Sequence, residues 1–247
     1  MRDNAENAPE SGAVYTCAFL YPQDFDGEAY TRLYSALRIE KLRNCPERLK
    51  PQYMAAELAY RAALRMAAEG GELLFAETAE EWCMQPYSYG RNGKPLLERG
   101  FISLSHTVGA AAASFSTAPV GVDVERERSL GARIAKRVLT EREYGAYLEA
   151  ASQEDFLLSC WTAKEALLKL TGEGLAGGMT GLELDPVHGV LSRLSDGRRF
   201  RIGHERLSLA DGGSAVLSAC AGAESSFKLA VFRNAEALTA FIGGGEC

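Results

Sequence analysis

Residues 119–125 read Pro119-Val120-Gly121-Val122-Asp123-Val124-Glu125, and their alternation sets the frame for the rest of the chain. Successive strand side chains point to opposite faces, so Val122 and Val124 share one face while Asp123 and Glu125 share the other. Upstream of this strand, residues 101–104 and 110–117 read as strands. A strand at 13–20 and two helical stretches, near 27–43 and 47–69, precede them. The second stretch carries Met54, Leu58, Ala62 and Leu64 on one apolar face and stops at Gly70-Gly71. Downstream, Thr140 with Glu143 forms a capping box for a helix near 141–150. Ser152 with Asp155 opens a long helix at about 153–171, which Gly172 and Gly174 end. Short strands at 182–185, 199–203, 214–220 and 227–232 and a helix at 235–242 follow. The order strand, helices, strands occurs twice, which predicts an α+β fold of two similar halves meeting near residue 118.

Composition narrows the function. The chain has 247 residues, 47% hydrophobic and 24% charged, with a formal net charge of −6. That is enough for one large domain or two modest ones, and it does not match a disordered chain. An acidic total argues against bulk nucleic-acid binding. The opening MRDNAENAPESG lacks the apolar stretch of a secretory signal, and no run approaches the roughly 18 apolar residues of a membrane span. Cys17, Cys45, Cys83, Cys160, Cys220 and Cys247 are scattered and form no CxxC, which predicts reduced thiols in a cytoplasmic protein. Three histidines, none paired at ligand spacing, argue against zinc.

Four short stretches carry chemistry. Asp123 and Glu125, on one strand face, repel unless a cation lies between them, and oxygen ligands of this kind suit Mg²⁺; a solvated strand face is the plain alternative. In Trp161-Thr162-Ala163-Lys164-Glu165-Ala166-Leu167-Leu168-Lys169, positions 161, 165 and 169 share a helix face. Glu165 and Lys169 are then either a surface pair contributing roughly 0.2–0.5 kcal/mol or a third carboxylate with a lysine beside it. Ser105 and His106 point to opposite strand faces and cannot easily form a nucleophilic pair, and no GxSxG elbow exists. A hydroxyl and an imidazole at this place suit phosphate, or merely end a strand before the turn at Gly109. In Asn92-Gly93-Lys94-Pro95 the proline holds Lys94 extended on a turn, solvated or against a phosphate. Residues 172–177 match GxGxxG but follow a helix, so they read as helix termination and loop.

Taken in order, Gly93-Lys94-Pro95, Ser103-Leu104-Ser105-His106, Gly121-Val122-Asp123-Val124-Glu125 and Trp161 through Lys169 resemble the surfactin-type 4′-phosphopantetheinyl transferases over Asn92 to Gly174. The resemblance implies two similar α+β subdomains related by a pseudo-twofold, residues 1–118 and 119–247, each a small, mostly antiparallel sheet on a long helix. Coenzyme A would lie in the cleft between them. It implies Mg²⁺ on Asp123, Glu125 and Glu165, and Glu165 with Lys169 at the chemistry. Lys94, Ser105, His106, Lys164 and Lys169 would contact coenzyme A, and Trp161 would pack the helix. The family's arginine near the start of the second helix falls on Gln52 or Tyr53 here, so Lys41, Arg43, Arg48 or Lys50 would replace it at the 3′-phosphate.

The implied reaction moves the 4′-phosphopantetheine group of coenzyme A to a serine of an acyl or peptidyl carrier protein and releases adenosine 3′,5′-bisphosphate. The enzyme would be a cytoplasmic monomer without nucleic-acid or membrane partners. Arg126, Arg128, Arg133, Lys136 and Arg137, just after the acidic strand, offer a local basic patch for an acidic carrier. A non-catalytic coenzyme A or carrier-binding module and a metal-dependent phosphohydrolase are the alternatives.

Overall fold

The computed structural model describes residues 11–71, 78–90, 93–174 and 178–243. Strand β1 (Ala13–Leu20) leads through a 3-10 turn (Gly27–Leu33) to helices α1 (Ala36–Asn44) and α2 (Lys50–Glu69). Helix α3 (Ala79–Cys83) and the short strands β2 (Ser88–Tyr89) and β3 (Pro95–Leu96) precede β4 (Phe101–Thr107), β5 (Ala110–Ser116) and β6 (Val120–Arg126). Next come α4 (Gly131–Val138), α5 (Glu141–Glu149) and α6 (Gln153–Thr171). The chain continues through β7 (Leu182–Asp185), β8 (Val190–Arg193), β9 (Arg199–Ser208), β10 (Ser214–Gly222), β11 (Ser226–Phe232) and α7 (Ala235–Ile242).

The larger strands form two sheets, ordered β11-β1-β5-β4 and β6-β10-β9-β8-β7. Alternation gives each sheet two apolar faces. On the first sheet, Tyr15, Cys17, Phe19, Ala111, Ala113 and Phe115 pack with Leu58, Ala62 and Leu64 of α2. The opposite face, Ala18, Leu20, Ala110 and Ala112, meets Val122, Val124, Leu207, Leu217 and Ala219 of the second sheet. Behind that sheet, Phe200, Ile202 and Cys220 pack with Ala163, Ala166, Leu167 and Leu170 of α6. The layers therefore run α2, first sheet, second sheet, α6, each face closed by the apolar stripe of its neighbour.

Two expectations change. The chain does not divide between the sheets at residue 118 alone. From the expected second half, 119–247, β11 pairs parallel with β1 in the first sheet, and Leu238 and Ile242 of α7 enter its core. Periodicity identifies a strand but not the sheet that receives it, and a parallel neighbour can be distant in sequence. The helix expected at 27–43 is split, because Ser35 turns extended and its side chain accepts from the Arg38 amide at 3.1 Å, starting α1 afresh.

Close approach of α6 to β6 builds the site. A Cβ on Gly121 would lie 1.8 Å from the carbonyl oxygen of Ala166, so glycine lets the helix backbone rest on the strand. At its start, the Asp155 amide donates to Ser152 Oγ at 3.2 Å; at its end Gly172 adopts φ 76°. No described helix is long and apolar enough to cross a membrane. The described cysteines, Cys17, Cys45, Cys83, Cys160 and Cys220, form no disulfide.

Candidate active site at the seam of the two sheets

Strands β4 and β6 belong to different sheets, and side chains join them. Ser103, Ser105 and Thr107 alternate along one face of β4. The Val122 amide donates to Ser103 Oγ at 2.9 Å, Ser105 Oγ donates to Asp123 Oδ1 at 2.8 Å, and the Arg126 amide donates to Thr107 Oγ1 at 3.4 Å. From α6, Lys169 Nζ donates to Asp123 Oδ1 at 2.7 Å and to Ser105 Oγ at 2.8 Å. Asp123 is only 4% exposed, and its Oδ2 is buried with no hydrogen-bond partner. A buried carboxylate oxygen left unsatisfied is costly and calls for a positive partner.

The surroundings are short of positive charge. Burial, reinforced by Asp123 and Glu125 and opposed by Lys169, lifts Glu165 to about 7. Burial and then Asp123 also raise Glu125, against the opposing pull of Arg128 and Lys169. Arg128 approaches Glu125 at 3.5 Å from an exposed position, where its charge is screened. Three carboxylates around one ammonium, with an orphaned oxygen at their base, fit a hard divalent cation by the chemistry of the donor set. Asp123, Glu125 and Glu165 are the residues that would hold it. Among the described residues, no three His, Cys, Asp or Glu side chains already stand at coordinating spacing.

A cleft of about 160 Å³ opens beside these groups, lined by Lys94, Pro95, Ser103, Leu104, Glu165 and Lys169. Lys94 Nζ donates to the Leu170 carbonyl at 2.6 Å, near the negative end of α6. On the other face of β4, His106 Nδ1 lies 3.0 Å from Gln52 Oε1, and the imidazole meets Tyr53 edge-on at 4.7 Å. Burial, with Arg38, Lys169 and Lys41 adding to it, pushes His106 down to about 4. Lys41 stands 4.4 Å from the centre of the Tyr53 ring and 5.2 Å from that of Tyr89.

Lys94, Glu165 and Lys169 thus line one cleft, and Lys169 ties it to the buried Ser105 and Asp123 at the seam, while His106 lies on the other face of β4 against Tyr53, which Lys41 also meets. Arg43 is exposed at the end of α1, and Lys50 pairs with Glu47. Lys164 does not face the cleft. It is 0% exposed, donates to the Val138 carbonyl at 2.8 Å and pairs with Glu143. Its expected contact with coenzyme A is corrected accordingly: one helical position, about 100° of rotation, separates it from Glu165 and turns it into the core. Arg38, absent from the sequence-based candidates, is bonded to Glu57 at 3.1 Å and to Tyr87 at 2.9 Å behind Tyr53. Its one visible signal was its place three residues before Lys41, on the same helix face. Asn92 and residues 175–177 lie outside the described residues.

Comparison with known proteins bears on this geometry. The family model of the 4′-phosphopantetheinyl transferase superfamily matches residues 119–220, which include β6 and α6. A 4′-phosphopantetheinyl transferase from Bacillus pumilus is 34% identical over 94 residues, 36% of this chain and 40% of that protein. The chain thus spans well under half the length of that relative. A 4′-phosphopantetheinyl transferase from Bacillus subtilis is 26% identical over 210 residues, 81% of this chain and 83% of its own. A holo-[acyl-carrier-protein] synthase from Shewanella amazonensis is 36% identical over 103 residues, 36% of this chain and 82% of its own. With a relative of that identity covered over most of its length, and the family model spanning the acidic strand and its helix, the chain belongs to the 4′-phosphopantetheinyl transferase superfamily.

Proposed function

We propose that the protein transfers the 4′-phosphopantetheine group of coenzyme A to a serine of a carrier protein, releasing adenosine 3′,5′-bisphosphate. The observation that carries this reading is the cluster of Asp123, Glu125 and Glu165 around Lys169, with Asp123 Oδ2 unsatisfied beside a cleft that Lys94 borders. The names of the relatives support the same class of reaction.

The bond that breaks joins the β-phosphorus of coenzyme A to the bridging oxygen of its diphosphate. The bond that forms joins that phosphorus to the serine oxygen. Mg²⁺ on Asp123, Glu125 and Glu165 would supply neutralisation of the diphosphate charge. Lys169 directs two of its three N–H groups to Asp123 and Ser105 and keeps one for the anion. It stabilises charge as the bisphosphate departs. Lys94 lies where a second phosphate would bring its charge. Glu165 serves first as an oxygen ligand; its second role is to take the proton of the incoming serine, directly or through one water.

Both walls of the cleft come from one chain, which supports a monomer. The exposed cations Arg133, Lys136 and Arg137 on α4 follow the acidic strand and suit an acidic carrier surface. Charge reversal at Arg133 and Arg137 should raise KM for the carrier and leave that for coenzyme A alone; unchanged carrier kinetics would remove α4 from the docking surface. The function itself is tested by intact-mass spectrometry of apo carrier protein incubated with coenzyme A and Mg²⁺. A gain of one phosphopantetheine mass, abolished by Glu165→Ala, is expected; no gain with fatty-acid, polyketide or peptide carriers overturns the reading.

A further inference from the structure

Ser105 lies at the seam behind Lys169, which lines the cleft that the proposed reaction uses, and its hydroxyl has one hydrogen to give. Lys169 can only donate, so at the 2.8 Å Lys169–Ser105 contact the serine oxygen is the acceptor. Its own hydrogen goes to Asp123 Oδ1 at 2.8 Å. The residue is buried, with 7% of its surface exposed.

The same two contacts act on Asp123. Oδ1 receives both Ser105 and Lys169, whereas Oδ2 receives no one and is buried. An aspartate side chain has two torsions, and two donors on one oxygen fix both. The carboxylate is thereby held with one oxygen saturated and the other presented.

We propose, resting on the reading of Asp123 as a cation ligand, that Ser105 is a positioning residue for Asp123: with Lys169 it saturates Oδ1, so that Oδ2 is the oxygen offered to the cation. Outer contacts of this kind typically change metal affinity by 10–100-fold when removed.

Positioning of Asp123 and contact with phosphate separate experimentally because the cation and the nucleotide can be titrated independently. Mn²⁺ binding to the full chain is measured by electron paramagnetic resonance without nucleotide. Binding of adenosine 3′,5′-bisphosphate is measured calorimetrically in the presence of a chelator. Ser105→Ala should weaken Mn²⁺ by about tenfold or more. Ser105→Thr, which keeps the hydroxyl and suits a strand, should restore Mn²⁺ binding. Unchanged Mn²⁺ affinity with weakened bisphosphate binding overturns the proposal and returns Ser105 to the phosphate. A threonine variant no better than alanine overturns it too, because the hydroxyl is then not the operative group. A wild-type protein that binds no Mn²⁺ removes the cation reading and this proposal together. One that binds Mn²⁺ and shows the serine effect yet modifies no carrier overturns the proposed reaction alone.

Discussion

Gly121 and His106 show how single residues set the conditions of the site. At Gly121 the helix backbone occupies the space of a side chain, so Gly121→Ala must push α6 away from β6. Overpacking of this kind costs about 1–3 kcal/mol or more. Urea unfolding should register that loss, and Mn²⁺ affinity should fall with it because Glu165 and Lys169 ride on the displaced helix. His106 is held near 4 by burial among Arg38, Lys169 and Lys41, with the uncharged Gln52 and Tyr53 against its ring. In the unfolded chain the imidazole takes a proton as pH falls below its ordinary value of 6.5; in the folded protein it does so only near 4. Its contribution to stability is therefore complete above pH 6.5 and is lost as pH falls through 4. Glu165, raised to about 7, acts in the opposite sense across part of this window. The quantity to measure is thus the difference between wild type and His106→Gln, which should narrow as acid is added; a constant difference between pH 4 and 7 would show no such linkage. The paired faces of Asp123 and Glu125 and the shared face of Glu165 and Lys169 were legible from spacing alone. The commitment of Lys169 to Asp123 was not, since it depends on where α6 lands across the seam.

At the level of elements, α6 is held from behind as firmly as it is from the site. Lys164 ties it to the Val138 carbonyl at the end of α4 and to Glu143 of α5. Glu143 also accepts from the Thr140 amide at 2.8 Å and the Leu184 amide at 2.8 Å. One carboxylate thus fastens α5, α6 and β7 together. Removing one partner of a buried pair costs about 3–5 kcal/mol, chiefly because the other charge is stranded. Lys164→Ala should lower stability by that amount in chemical denaturation while the bisphosphate affinity of the folded fraction stays unchanged; weaker nucleotide binding at full folding would put Lys164 back in the cleft. The Thr140 capping box was readable, because its two partners lie three residues apart and each bonds the other's backbone. Helix α4 was not foreseen: Leu130 stands at its start with no side-chain cap. Strand β8 reads Val190-Leu191-Ser192-Arg193, two apolar residues followed by two polar ones, and so lacks the alternation that marks β7.

Across the whole molecule, the two sheets are joined twice, through the β4–β6 seam and through β11, which crosses back to lie beside β1. The α+β class and the layering of long helices on sheets follow from the apolar periods of α2, α6 and the strands between them. The crossing of β11 does not, because its seven residues alternate as well for one sheet as for the other. A chain ending before Ser226 would lack the edge of the first sheet and the packing of Leu238 and Ile242 on α2. Such a truncation should lose cooperative unfolding and expose α2 to limited proteolysis; a truncated chain with wild-type melting would show β11 and α7 to be dispensable.

Gly12 and Ser225, bonded at 3.3 Å, are 213 residues apart in sequence, and this bears on how the protein is made. A nascent chain leaving the ribosome has every residue of the seam in hand before β11 emerges. Until then β1 presents an open row of amides and carbonyls, the template on which chains pair wrongly. The first sheet to begin folding is therefore the last to be closed, and the interval between the two is when a chaperone would have most to protect.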